Sequence, residues 1–163
     1  MTIGIVSDTH GYIDDRLLDF FNNVDEIWHA GDIGNIEVIK KLESIKPTKV
    51  VYGNIDDSSI RNQFPLNQIF NIDNCKILMT HIAGSFGKYN TRINALHQTQ
   101  KDIKILVCGH SHILKVQYDE KYNWLYINPG AYGKHGFHKF RTAIKLQIEN
   151  SIPKNIEVLE LKR

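Results

Sequence analysis

Five short apolar runs in this chain each end in a polar cluster of Asp, Asn or His, most of them beside Gly. The run at 3–6 leads into Ser7-Asp8-Thr9-His10, and the run at 26–29 into Ala30-Gly31-Asp32. The run at 49–52 leads into Gly53-Asn54, that at 76–79 into Thr80-His81, and that at 103–108 into Gly109-His110-Ser111-His112. The successive spacings from Asp8 to Asp32, Asn54, His81 and His110 are 24, 22, 27 and 29 residues. Each gap has room for a return connection, so the five strands can share one direction. In an open α/β sheet, ligands bind outside the carboxyl ends of the strands. The pattern therefore predicts all five clusters on one edge of the molecule.

The segments between fit that scheme. Leu17, Leu18, Phe20, Phe21 and Val24 mark one face of a helix, with Asp14 as its cap. Val38, Ile39, Leu42 and Ile45 mark a second helix, stopped before Pro47. Runs 68–72 and 76–79 flank Asp73-Asn74-Cys75 as a hairpin. Tyr89, Ile93 and Leu96 suggest one more helix. Beyond Leu114 the pattern is mostly antiparallel, with strands at 114–118, 124–128, 141–149 and 155–161 and turns containing Asn123, Gly133 or Pro153. The expectation is an α/β protein, one domain over residues 1–163, with two sheets packed together and helices outside.

Eight His stand against two Cys. Cys75 and Cys108 cannot build a disulfide framework, and without a C-x-x-C there is no zinc ribbon or thioredoxin-type site. They read as buried free thiols. Lys+Arg 20 against Asp+Glu 18 gives a formal charge of +2, which makes no electrostatic case for a standing nucleic-acid partner. No run approaches the roughly 18 apolar residues of a membrane span, and Asp8 arrives too early for a signal-peptide core. A cytoplasmic location without a membrane partner is expected.

Taken singly, Asp8, Asp32 and Asn54 read as turn formers, and His81 as a hydrogen-bonded structural residue. Together they read otherwise. Asp8 and His10 are two apart, as are His110 and His112, so each pair faces one side. Gly31, Gly53 and Gly109 each precede a ligand-type side chain and permit close backbone approach. Two Asp, one Asn and four His supply hard oxygen and imidazole donors. That set suits Mn, Fe, Zn or Ni better than Ca or Mg. Seven donors exceed the need of one ion, and a carboxylate such as Asp32 bridging two ions fits the count.

Asp8-x-His10, Gly31-Asp32, Gly53-Asn54, His81 and Gly109-His110-x-His112 resemble the five ordered blocks of the calcineurin-like metallophosphoesterase superfamily. The Ser7-Asp8-Thr9-His10-Gly11 opening, the small size and Asn128-Pro129-Gly130 resemble its YfcE-type small phosphodiesterases. The resemblance implies a four-layer α/β/β/α sandwich of two mixed sheets. It implies Asp8, His10, Asp32 and His112 at one ion, and Asp32, Asn54, His81 and His110 at the other. Mn²⁺ is the preferred ion, with Ni²⁺, Fe and Zn²⁺ as alternatives. Asp32, Asn54 and His110 would act through metal and phosphate, with a metal-bound hydroxide attacking the phosphorus of a small phosphodiester. A homo-oligomer is left open.

Two departures stand out. The superfamily's general-acid His after Gly-Asn is Ile55 here, followed by Asp56 where the superfamily has an acidic partner. The subgroup's His-Gly-His is here His81-Ile82-Ala83-Gly84. Lys88 and Arg92 in the following segment are candidate phosphate contacts, and His29 is a candidate to orient Asp32 or the substrate. His97, His135 and His138 read as surface or loop residues, and Trp28 and Trp124 as packing. The rival reading is a non-enzymatic scaffold on this fold, as the retromer scaffold subunit resembles the family. No Gly-x-Ser-x-Gly elbow or P-loop spacing supports another hydrolase class.

Overall fold

The chain, described here over all of residues 1–163 by a computed structural model, alternates strand and helix at first and then turns to strands. The order is β1 (Thr2–Val6), α1 (Asp15–Phe21), β2 (Glu26–His29), α2 (Ile36–Glu43), β3 (Thr48–Val50), α3 (Ser58–Arg61), β4 (Asn67–Ile72) and β5 (Cys75–Thr80). There follow β6 (Gly84–Ser85), β7 (Lys88–Tyr89), α4 (Thr91–Thr99), β8 (Ile103–Val107), β9 (Leu114–Asp119), β10 (Trp124–Pro129), β11 (Phe140–Glu149) and β12 (Ile152–Lys162). Asp14 caps α1, accepting from the Leu17 amide, as its place before the apolar face predicts.

Two five-stranded mixed sheets form, ordered β12-β11-β1-β2-β3 and β4-β5-β8-β10-β9. In the first, β1, β2 and β3 are parallel and β11 joins β1 antiparallel. In the second, β5, β8 and β10 are parallel, with β4 and β9 antiparallel at the edges. The late strands thus do not stay together: β10 pairs in parallel with β8, and β11 crosses to the first sheet. Pro153 lies inside β12, not in the turn; Asn150 and Ser151, with φ of 50° and 65°, make that turn.

Alternation along the strands builds the layers. Ile3, Ile5 and Trp28 meet Ile77, Met79, Val107 and Ile127 between the sheets. Val6 and Ile27 face the other way, onto Leu17 and Phe21 of α1 and Val38, Ile39 and Leu42 of α2. Leu78, Leu106 and Trp124 pack on Ile93 of α4. The result is the expected α/β/β/α order. Cys75 and Cys108 are buried free thiols. No helix is long and apolar enough to cross a membrane.

Candidate metal centre

The carboxyl ends of β1, β2, β3, β5 and β8 meet at one edge, and the seven candidate ligands meet there with them. Asp8, His10 and His112 offer ligand atoms within 4.8 Å of one another, and so do Asp32, His81 and His110. His112 Nε2 lies 3.2 Å from Asp8 Oδ1. The two groups interlock: His81 Nε2 is 3.9 Å from Asp8 Oδ1, and His10 Nε2 is 3.9 Å from Asp32 Oδ2. Asn54 Oδ1 reaches His81 Nε2 at 3.1 Å and belongs to the second group.

Backbone geometry drives this convergence. Asp8, His10, Asp32, His110 and His112 all have positive φ, at 55°, 47°, 54°, 69° and 59°. Non-glycine residues rarely occupy that region, and strain of this kind collects at functional sites. The left-handed turns swing each side chain back over the strand end. A Cβ at Gly53 would overlap the Asp32 carboxylate, and one at Gly109 would overlap Ser7 Oγ. Only glycine lets the third and fifth strand ends come this close.

Hydrogen bonds aim the ligands. Asp8 Oδ2 accepts from the His110 amide at 3.0 Å, which leaves Oδ1 facing the site. Ala30 O lies 2.8 Å from His81 Nδ1; a carbonyl only accepts, so Nδ1 carries a proton and Nε2 points inward. Asn128 donates to Gly109 O at 2.7 Å and Ser111 Oγ at 3.0 Å, pinning the turn that carries His110 and His112. Asp56, buried, accepts from Gly53 N at 2.7 Å and Gly34 N at 2.8 Å, tying two ligand loops together.

The electrostatics favour a cation. Burial works against the Asp32 anion, but the His81 hydrogen bond and charge, with the Ile55 amide, outweigh it and hold the carboxyl below its ordinary range. Burial pushes His10 below its ordinary value against the pull of Asp32 and Asp8, favouring the neutral ligand form. Burial also opposes the His81 cation, yet the Asp32 hydrogen bond and the Asp8 and Asp32 charges raise it overall. Asp8 Oδ1 and His10 Nε2 are buried without a hydrogen-bond partner. Buried orphans of this type are costly unless an ion completes them. The donor set thus fits divalent metal.

Other expectations are adjusted. His29 is fully buried and touches no cleft: its ring bonds Thr9 Oγ1 at 2.9 Å and accepts from the Gly31 amide at 3.2 Å. Burial pushes its pKa down to about 4, so it is a neutral brace between two ligand turns and not a substrate contact. Arg92 lines a cavity of about 240 Å³ with Asn54, His81, Tyr52 and Arg61. Arg61 escapes sequence reading because nothing local marks it. Lys88 lies exposed in the β6–β7 hairpin and lines neither cleft beside the ligands. His97 is half-buried, facing Tyr122 O at 3.0 Å. His135 stacks on His10 with ring centroids 5.7 Å apart, and His138 meets His112 edge-on at 5.2 Å. The loop 133–139 is thus exposed over residues 134–137 yet touches the ligand cluster through the His135 and His138 rings. A larger groove of about 510 Å³, lined by Asn74, Tyr118, Ile152 and Pro153, lies at the opposite strand ends and holds no such ligand set.

The calcineurin-like phosphoesterase superfamily domain model matches residues 1–151. The chain belongs to this superfamily. Like its relatives, this calcineurin-like phosphoesterase is a metal-dependent hydrolase. It is 29% identical over 136 residues to a probable metallophosphoesterase of Methanocaldococcus jannaschii, covering 80% of this chain and 68% of that protein. It is 29% identical over 147 residues to a phosphodiesterase of the same organism, covering 80% and 83%. In fold it resembles Vps29 of Entamoeba histolytica complexed with Zn²⁺, at 20% identity, TM-score 0.75 and 99% coverage of both chains.

Proposed function

We propose that this phosphoesterase is a two-metal phosphodiesterase in which an activated water attacks phosphorus in line. The observation that carries the reading is the pair of interlocked ligand groups, Asp8-His10-His112 and Asp32-His81-His110. Asp32 turns one carboxylate oxygen to each group, so it would be the residue to bridge two ions, and Asn54 would complete the second set. Mn²⁺ is the preferred metal on the family resemblance, and the imidazole-rich donor set suits Fe, Zn²⁺ and Ni²⁺ as well. Two such ions, when bound, would supply Lewis acidity to lower the pKa of a water and neutralise phosphate oxygens.

The chain's own groups do the rest. The Ala30 carbonyl and the His110 amide fix His81 and Asp8, so no reorganisation is needed when charge develops. Arg92, beside Asn54 and His81 in the cavity that Arg61 also lines, would orient a phosphate oxygen. Ile55, 45% exposed, has no proton to give a leaving group. Leaving groups must depart as anions or take a proton from solvent. The phosphodiesterase among its relatives supports the diester preference.

The test is hydrolysis of bis(p-nitrophenyl) phosphate and p-nitrophenyl phosphate by Mn²⁺-loaded protein and by Asp32→Ala. Faster diester turnover that Asp32→Ala abolishes is expected. No hydrolysis attributable to Asp32 would favour a protein-binding scaffold on the same fold.

A further inference from the structure

A second cleft, of about 490 Å³, opens beside the ligand cluster between the turn carrying His110 and His112 and the loop 133–139. Ile113 and Phe137 line it. They are the two most exposed large apolar side chains of the chain, at 66% and 105%. Both sit on pinned backbone. Ser111 Oγ accepts from the Ile113 amide at 3.3 Å. Around Phe137, Arg163 donates to Gly136 O, His138 Nε2 lies 2.9 Å from Gly133 O, and His135 stacks on His10. Phe137 is thus held out into water by contacts on both sides.

Water-exposed apolar area of this size gains when a ligand covers it. Two such side chains flanking a concave cleft with His110 and His112 on its wall point to a small molecule, since clefts of about 300–1,000 Å³ are typical of small-ligand sites. A phosphate at the ligand cluster has to send its ester group somewhere, and this cleft adjoins the cluster on the side away from Arg92 and Asn54. Aromatic side chains bind flat rings by stacking, whatever the ring's edge groups.

We propose that this cleft receives an ester group of the substrate, and that Phe137 and Ile113 select one carrying a flat aromatic ring, aryl or nucleoside. The inference rests on the phosphoesterase reading and names the substrate class that reading leaves open. Phe137 makes no core contact, so its replacement leaves the fold intact.

Binding is measured without turnover, by calorimetry of Mn²⁺-loaded protein with methyl phosphate, phenyl phosphate and thymidine 5′-phosphate. Both aromatic ligands should bind about tenfold more tightly than methyl phosphate. Phe137→Ala should erase that preference, and Phe137→Trp should keep it. Thymidine 5′-phosphate tighter than phenyl phosphate assigns a nucleoside, and equal affinities assign any aromatic ring. Equal binding of all three by the wild type, or a preference that survives in Phe137→Ala, overturns the proposal. Failure of every phosphate to bind overturns the phosphoesterase reading together with it.

Discussion

Asp32 divides its carboxylate between two histidines: Oδ1 lies 3.1 Å from His81 Nε2, and Oδ2 lies 3.9 Å from His10 Nε2. An amide at this position keeps the shape but loses the charge and one acceptor. Asp32→Asn should therefore bind fewer than two Mn²⁺ per chain by elemental analysis after gel filtration. Diester hydrolysis should fall by about a hundredfold or more. A variant with full metal content and full rate would contradict the bridging role.

Gly53 sits against that same carboxylate. A methyl group there would overlap both Asp32 Oδ1 and the Asp32 backbone nitrogen. Backbone is the less forgiving neighbour, so Gly53→Ala should cost about 1–3 kcal/mol. At about 2–4 °C per kcal/mol the thermal midpoint should drop measurably. Mn²⁺ affinity should fall with it, because the carboxylate must turn away. An unchanged midpoint and unchanged affinity would show that the turn yields freely.

Much of this site was legible because its signals are local. Apolar runs ending in Asp, Asn and His mark strand ends, and the strand direction puts them on one edge. The partition of the late strands was not legible. That β11 pairs with β1, Thr2 opposite Gln147, is a contact between distant segments that no local period encodes. α3 and the β6–β7 hairpin are too short to leave a period. The left-handed backbone at Asp8, His10, Asp32, His110 and His112 was hidden because glycine is the usual occupant there. His135 and His138 looked like loop residues, and only tertiary packing of 133–139 brings them onto His10 and His112.

Asp14 gives a test outside the set of candidate ligands. It caps α1 and accepts from Tyr12 and Tyr132, and it pairs with the buried Arg141 at 3.0 Å. Burial opposes its charge, but the Tyr132, Arg141 and Tyr12 hydrogen bonds outweigh that and hold its pKa at about 2. A depressed carboxylate stabilises the fold above its unfolded pKa, about 3.9, and that contribution is lost as pH falls through the folded value. Asp14→Asn leaves Arg141 unpaired and should cost about 3 kcal/mol at pH 7. The gap between wild-type and variant melting temperatures should narrow as pH drops from about 4 towards 2. A gap independent of pH would mean that the ion pair contributes nothing.

Ile55 offers the sharpest chemical test. Its amide donates to Asp32 Oδ1 at 3.1 Å, and its side chain is 45% exposed at the edge of the ligand cluster. The position is therefore fixed relative to the Asp32 carboxylate, and its side chain is open to solvent. With no proton donor at this position, the proposed mechanism has the leaving group depart as an anion or take a proton from solvent. Rates on a series of substituted aryl phosphodiesters should fall steeply as leaving-group pKa rises. Ile55→His keeps the amide bond to Asp32 and adds an imidazole. It should flatten that dependence, raising rates on the poorest leaving groups by about 10²-fold while changing the best ones little. A flat plot for the wild type would show that some other group already protonates the leaving oxygen.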